Sequence, residues 1–266
     1  MSSASRALRA EALRLSGGRL PWMVPLAAGL GGTYAWGLGA AAERGLFGSP
    51  GGFYVAAASA SGAADTCAAV GALLAASAVG GDFASGVART ALSRPVRRGT
   101  WLLARIAALA GALALLDVSA CAGAMAAGGL RFGLGAVAEG GYVLASARLL
   151  LVQLAVAMLP ALVGVVLAVC LGGLLGALLG RPGPAVVSTV LLAAALLALA
   201  RWPQVEPLLP TAHLTAALER VVQLSQGLAT LHASDVAPRD LLVLGAWLLG
   251  AVALVLPWLG RKDIVA

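Results

Sequence analysis

Charge is what this sequence has least of. Only 11% of its 266 residues are Asp, Glu, Lys or Arg, where a soluble domain carries about 25%. An ordinary soluble globular chain is therefore excluded. Lysine occurs once, at Lys262, so no Gly-rich loop ending in Gly-Lys-Ser/Thr can cradle a phosphate. Histidine occurs twice, at His213 and His232, both in a polar stretch. No His-Glu-x-x-His pair exists, and two lone histidines so far apart in sequence do not make a metal site. The three cysteines, Cys67, Cys121 and Cys170, all lie in apolar blocks without metal spacing, and read as small buried residues. No period-two alternation runs through the chain, which argues against a membrane β-barrel. Neither catalytic residues nor metal ligands are expected, and the chain is not read as an enzyme.

What is abundant is apolar. Hydrophobic residues make up 61% of the chain. They come in blocks, several longer than the roughly 18–20 residues that cross hydrocarbon. With barrels set aside, helices are the structures that satisfy their backbone groups in lipid. The expected fold is an all-α integral membrane protein: one domain, residues 1–266, with six transmembrane helices over 21–42, 57–80, 101–127, 149–180, 185–200 and 240–259. Residues 1–20 form an N-terminal amphipathic interfacial helix with a basic face, or else a basic tail. Residues 81–100 are a basic connector. Residues 201–239 are a polar outer loop, within which 211–230 has helical spacing. Ala40-Ala41-Ala42 resembles a cleavage site, but the block before it is long enough to span and reads as uncleaved. The fourth block is unusually long and should tilt or protrude. Arg181-Pro182-Gly183-Pro184 reads as a tight turn.

The net charge of +7 does not point to nucleic acid, because the basic residues sit in short segments between apolar blocks. With the N-terminus inside, twelve fall on the inner side (Arg6, Arg9, Arg14, Arg19, Arg89, Arg94, Arg97, Arg98, Arg105, Arg181, Arg261 and Lys262). Six fall on the outer side (Arg44, Arg131, Arg148, Arg201, Arg220 and Arg239). The positive-inside rule thus places both ends in the cytoplasm. Seventeen of the eighteen basic residues are Arg, and Ala, Gly and Leu dominate the rest, as in GC-rich bacterial genomes.

Two features stand out inside the spans. Asp117 is an acid near a helix centre, a position that costs roughly 2.5–3.5 kcal/mol on insertion scales. It either lines a translocation path and meets a cationic group, or forms a helix–helix hydrogen bond, with Gln153 as its partner. Asp65 lies nearer the outer interface. Small residues recur every four positions at Gly29, Thr33 and Gly37 and at Gly172, Gly176 and Gly180, suited to close helix packing within one subunit or across a dimer.

The connector reads Gly81-Asp82-Phe83-Ala84-Ser85-Gly86, then Arg89-Thr90-Ala91-Leu92-Ser93-Arg94-Pro95-Val96-Arg97-Arg98. It resembles the first cytoplasmic loop of type-2 ATP-binding-cassette exporter permeases: an acid, an aromatic, a Gly, a short helix, then Leu, Pro and basic residues. The acid is Asp82 where Glu is usual, and Val87 follows Gly86 where Thr is usual. Glu11-Ala12-Leu13-Arg14-Leu15 looks like the family's amphipathic entry helix, Leu208-Leu209-Pro210 is similar to its loop between spans five and six, and Arg261-Lys262-Asp263-Ile264 resembles its C-terminal tail. The resemblance implies a permease subunit of an ATP-driven exporter in a bacterial cytoplasmic membrane, with no cofactor on this chain. ATP and Mg would sit on a cytosolic ATPase, likewise implied, in two copies. A second six-span half, identical or related, would complete the assembly. Asp82, Phe83, Gly86, Arg89, Pro95 and Arg97 would couple to the ATPase through a cytoplasmic coupling helix. The alternative is a secondary transporter or channel subunit driven by an ion gradient.

Overall fold

The computed structural model describes residues 3–17, 20–41, 51–88, 98–139, 142–228 and 232–261. Its helices are α1 (Ser3–Ser16), α2 (Leu20–Ala41), α3 (Gly52–Ala84), α4 (Arg98–Phe132), α5 (Ala147–Leu179), α6 (Pro182–Leu199), α7 (Ala216–Ser225) and α8 (Ala233–Arg261). Short 3₁₀ turns occupy Glu206–Leu208 and Pro210–Ala212. The one departure from an all-α chain among the described residues is a two-stranded antiparallel pair, Val137–Glu139 with Tyr142–Ala145.

Five helices are long and apolar enough to cross a membrane: α3, α4, α5, α6 and α8. The chain is thus a predominantly helical, multi-pass membrane protein. Valines and leucines such as Val70, Leu74, Leu115, Leu159, Val190 and Leu197 face outward, an apolar exterior that suits lipid. The helix α2 has 22 residues, enough in length to cross, but is not among these five.

Each expected span overlaps a helix, several with longer limits. The helix α3 covers 33 residues, not 57–80 alone, because Phe53, Tyr54 and Val55 are buried at its start. The helix α4 covers 35 and α5 covers 33. At ~1.5 Å per residue each exceeds the hydrocarbon thickness. The helix α5 is capped by Ser146, whose side chain accepts from Leu149 N at 3.2 Å, and stops at Gly180 with φ +64°, a left-handed C-cap. Pro182 then opens α6, so the expected tight turn shrinks to Gly180–Arg181.

Small residues bring the helices together. A Cβ on Gly172 would run into the carbonyl of Ala72, and one on Gly176 would lie 2.7 Å from that of Ala76, so α5 lies backbone-to-backbone on α3. On α2 the packed stripe is Gly31, Ala35 and Gly39, against α4. The stripe at Gly29, Thr33 and Gly37 faces away, with nothing among the described residues within 4 Å of a Cβ at either glycine.

The expected outer loop 201–239 is largely folded. The helix α7 buries Leu218, Val221 and Leu224. Leu218 and Val221 pack against Ala57, Ala60, Leu154 and Ala161 of α3 and α5, and α8 begins at Ala233. A second cluster, of Val79, Leu102, Ile106, Val169 and Leu174 around Trp101, closes the opposite end. The two ends are named below for Asp82 and Asp240.

Candidate functional site

At the Asp82 end, three helices deliver four charges to one point. Asp82 lies in the last turn of α3, Arg105 in the second turn of α4, and Glu11 and Arg14 on α1. The Arg105 guanidinium donates from Nε to Asp82 Oδ2 at 3.0 Å and from an Nη to Glu11 Oε2 at 2.8 Å. Arg14 approaches Asp82 at 3.7 Å and Glu11 at 4.0 Å. Arg105 and Asp82 are buried, Glu11 is partly so, and Arg14 is half exposed. Two acids and two arginines cancel in charge. The planar fork of Arg105 lets one buried side chain satisfy two carboxylates in different directions. Losing one member would strand another inside apolar surroundings.

Around this cluster the connector takes shape. Phe83 meets Trp101 edge to face, with ring centroids 5.8 Å apart and an interplanar angle of 81°. Ser85 donates from Oγ to Gly81 O at 2.7 Å. Gly86 adopts φ +75° and donates from its N–H to Phe83 O at 3.3 Å. Helical geometry resumes at 87–88. Gly86 thus ends α3 and turns the chain into a new helical start. Of the six residues expected to couple, the structure brings Asp82, Phe83 and Gly86 together. Arg89, Pro95 and Arg97 lie outside the described residues. The Asp82 carboxylate points inward, to Arg105, not outward to a partner.

Mid-bundle, Asp117 is fully buried on α4, and neither carboxylate oxygen has a hydrogen-bond partner among the described residues. Cys67 on α3 and Cys121 one turn along α4 are within reach of its charge. The expected bond to Gln153 does not form. Gln153 instead cross-pairs with Ser234: Ser234 N donates to Gln153 Oε1 at 3.0 Å, and Gln153 Nε2 donates to Ser234 Oγ at 3.4 Å. The reason is position. Gln153 lies in the second turn of α5, at the Asp240 end, where α8 starts and has free backbone donors. Asp65 lies on an exposed face of α3.

At the Asp240 end, His213 is buried rather than solvated. Its Nδ1 lies 2.6 Å from Asp240 Oδ1, and its Nε2 lies 2.9 Å from Pro207 O. Trp247 donates from Nε1 to Leu208 O at 2.8 Å. Sequence reasoning missed the roles of Arg105, Glu11, His213 and Asp240. Arg105 alone carried a signal, as a cation one turn inside an apolar block. Among the described residues no group of three or more His, Cys, Asp or Glu gathers as a metal site. Neither a protein-family model nor a curated protein sequence matches this chain.

Proposed function

We propose that the chain is the membrane-spanning permease subunit of an ATP-driven exporter in a bacterial cytoplasmic membrane. In this reading α2 is a sixth span and the Asp82 end faces the cytoplasm. A cytosolic ATPase, in two copies, supplies ATP and Mg chemistry, and a second six-span half completes the path. The observation that carries the reading is the bridge of Arg105 between Asp82 and Glu11. It fastens the entry helix α1, the end of α3 and the start of α4 at the mouth of the connector. A push on that connector would then be felt by two long helices and α1 together. Asp82 serves here as a transmission point, with Phe83 and Gly86 setting the angle at which the connector leaves. The unoccupied small stripe of α2 at Gly29, Thr33 and Gly37 is available to the second half.

The test is reconstitution with the partner ATPase that this reading requires. Export should need ATP, and Asp82→Asn should lower ATP-driven export while the protein still inserts and purifies normally. If Ser85→Cys is labelled from outside intact cells by an impermeant maleimide, no cytosolic motor could reach the connector. A second reading, a secondary transporter or channel subunit driven by an ion gradient, is favoured by one observation: neither oxygen of Asp117 has a hydrogen-bond partner among the described residues. Uptake into ATP-free vesicles under a pH gradient would select it.

A further inference from the structure

The helix α1 carries three arginines, Arg6, Arg9 and Arg14, and one acid, Glu11. It packs on α4. Glu11 reaches Arg105 there, and Ala7 and Leu15, four residues to either side, share that half-buried face. The charges of Asp82, Glu11, Arg105 and Arg14 cancel, so Arg6 and Arg9 are left over. Both are exposed, and neither has a hydrogen bond or ion pair among the described residues. Arg14, 51% exposed, approaches its two acids at 3.7 and 4.0 Å. Those contacts are longer than a hydrogen bond, so its N–H groups have room for a further acceptor. Leu13 lies on the face of Arg6 and Arg9, seven and four residues on, and is 62% exposed. Depth follows from the chain. Only residues 17–19 separate α1 from α2, a link of at most about 14 Å. The first turn of α2 holds Trp22, 81% exposed, and exposed Met23, Leu26 and Leu30 follow. An exposed Trp opening an apolar helix sits at headgroup level, and the short link keeps α1 there.

We infer that the outward face of α1 is a binding site for anionic phospholipid. Arg6 and Arg9 hold the headgroup phosphate, Arg14 adds donors beside them, and Leu13 meets the acyl boundary. A guanidinium on a long stem reaches a phosphate while its carbons lie along apolar surface. The charge sets the preference. A zwitterionic lipid brings its own cation to its phosphate, whereas an anionic one leaves a charge for Arg6 and Arg9 to neutralise. A soluble acidic partner would have to reach the same arginines through the lipid around Trp22 and Leu13. Because Glu11 ties α1 to Arg105, lipid bound to α1 also steadies the charges around Asp82. The inference rests on the proposed span α2 and not on export.

Fluorescence quenching in vesicles tests this without any transport measurement. In the full chain, Cys67, Cys121 and Cys170 are replaced by Ala, and Leu13→Cys is labelled with bimane. The protein is reconstituted in equal parts of phosphatidylcholine and phosphatidylglycerol. One lipid at a time is brominated on its acyl chain near the glycerol, where it quenches a neighbouring fluorophore. Leu30→Cys on α2 is the reference. At Leu13, brominated phosphatidylglycerol should quench several-fold more than brominated phosphatidylcholine, since each arginine near an anionic surface is worth about fivefold. At Leu30 the two lipids should quench alike. Arg6→Gln with Arg9→Gln should bring Leu13 to parity, and Arg6→Lys with Arg9→Lys should keep the excess. Neither arginine is bonded to the bundle among the described residues, so these variants leave the fold in place. Equal quenching by the two lipids at Leu13, or an excess that survives the Gln pair, overturns the inference. Quenching at Leu30 with none at Leu13 overturns it too, and gives the face to water and a soluble partner. No quenching at Leu30 by either lipid would instead remove α2 as a span.

Discussion

The Arg105 guanidinium lies 3.0 Å from the Asp82 carboxylate, and both side chains are buried. The same guanidinium binds Glu11 on α1. The pair is therefore the meeting point of three helices, and its energetics are lopsided. Breaking a buried ion pair by removing one partner costs about 3–5 kcal/mol, while a matched apolar replacement of both can be near neutral. Arg105→Met should lower the thermal midpoint of the detergent-solubilised protein steeply, because two carboxylates lose their cation. Arg105→Lys should recover only part, since a single ammonium cannot span both acids with the fork's geometry. Asp82→Asn combined with Arg105→Met should be less damaging than the sum of the two. Additive losses would mean that the two side chains do not interact.

Gly86 sets where the connector goes. Its φ of +75° is open to glycine and costs an L-residue roughly 1–2 kcal/mol. Among the described residues a Cβ there meets nothing within 4 Å, so the strain in Gly86→Ala is one of backbone conformation. On the proposed exporter reading, the expected outcome is a small drop in thermal midpoint with a larger loss of ATP-driven export, because the chain after Gly86 leaves α3 at a new angle. Equal export by Gly86→Ala and the parent protein would remove Gly86 from the coupling path.

How far the sequence shows this architecture depends on range. Blocks of apolar residues act within a few residues of themselves, so they are legible. The match of Arg105 to Glu11, 94 residues away, depends on which helices end up adjacent, and no local pattern states that. His213 shows the same limit. Leu218, Val221 and Leu224 were recognisable as a helical face, yet nothing nearby in the chain said that this face folds back onto α3 and α5 and takes His213 inside. On α2, two small stripes run side by side with the same four-residue spacing. Period alone could not show that Gly31, Ala35 and Gly39 meet α4 while Gly29 and Gly37 meet nothing among the described residues.

That contrast yields a paired prediction. Gly172→Val forces a side chain against the Ala72 carbonyl, which is backbone and cannot rotate away. Overpacking of this kind costs about 1–3 kcal/mol, occasionally more. The variant should lose thermal stability and monodispersity on size exclusion. Gly29→Val, facing open space, should stay within about 0.5 kcal/mol of the parent. If Gly29→Val instead changes the oligomer while leaving monomer stability intact, the outer stripe of α2 is the surface that meets a second half.

Asp117 is the residue whose presence the fold does least to justify. It is fully buried, and neither oxygen is paired among the described residues. An unpaired carboxyl group in such surroundings is costly. Asp117→Leu removes that cost, so the thermal midpoint should rise, in line with the roughly 2.5–3.5 kcal/mol that an acid costs at a helix centre. Asp117→Asn keeps the size and removes the charge. If the acid serves transport, both variants should fold at least as well as the parent and lose movement of a cationic substrate. The two readouts then separate, since stability goes up as transport goes down. A purely structural acid would show the opposite coupling: Asp117→Leu would lower the midpoint, and transport would fall only as far as the folded protein is lost. Measuring midpoint and transport on the same preparations decides between them, because only a functional acid is retained against the stability of its own helix.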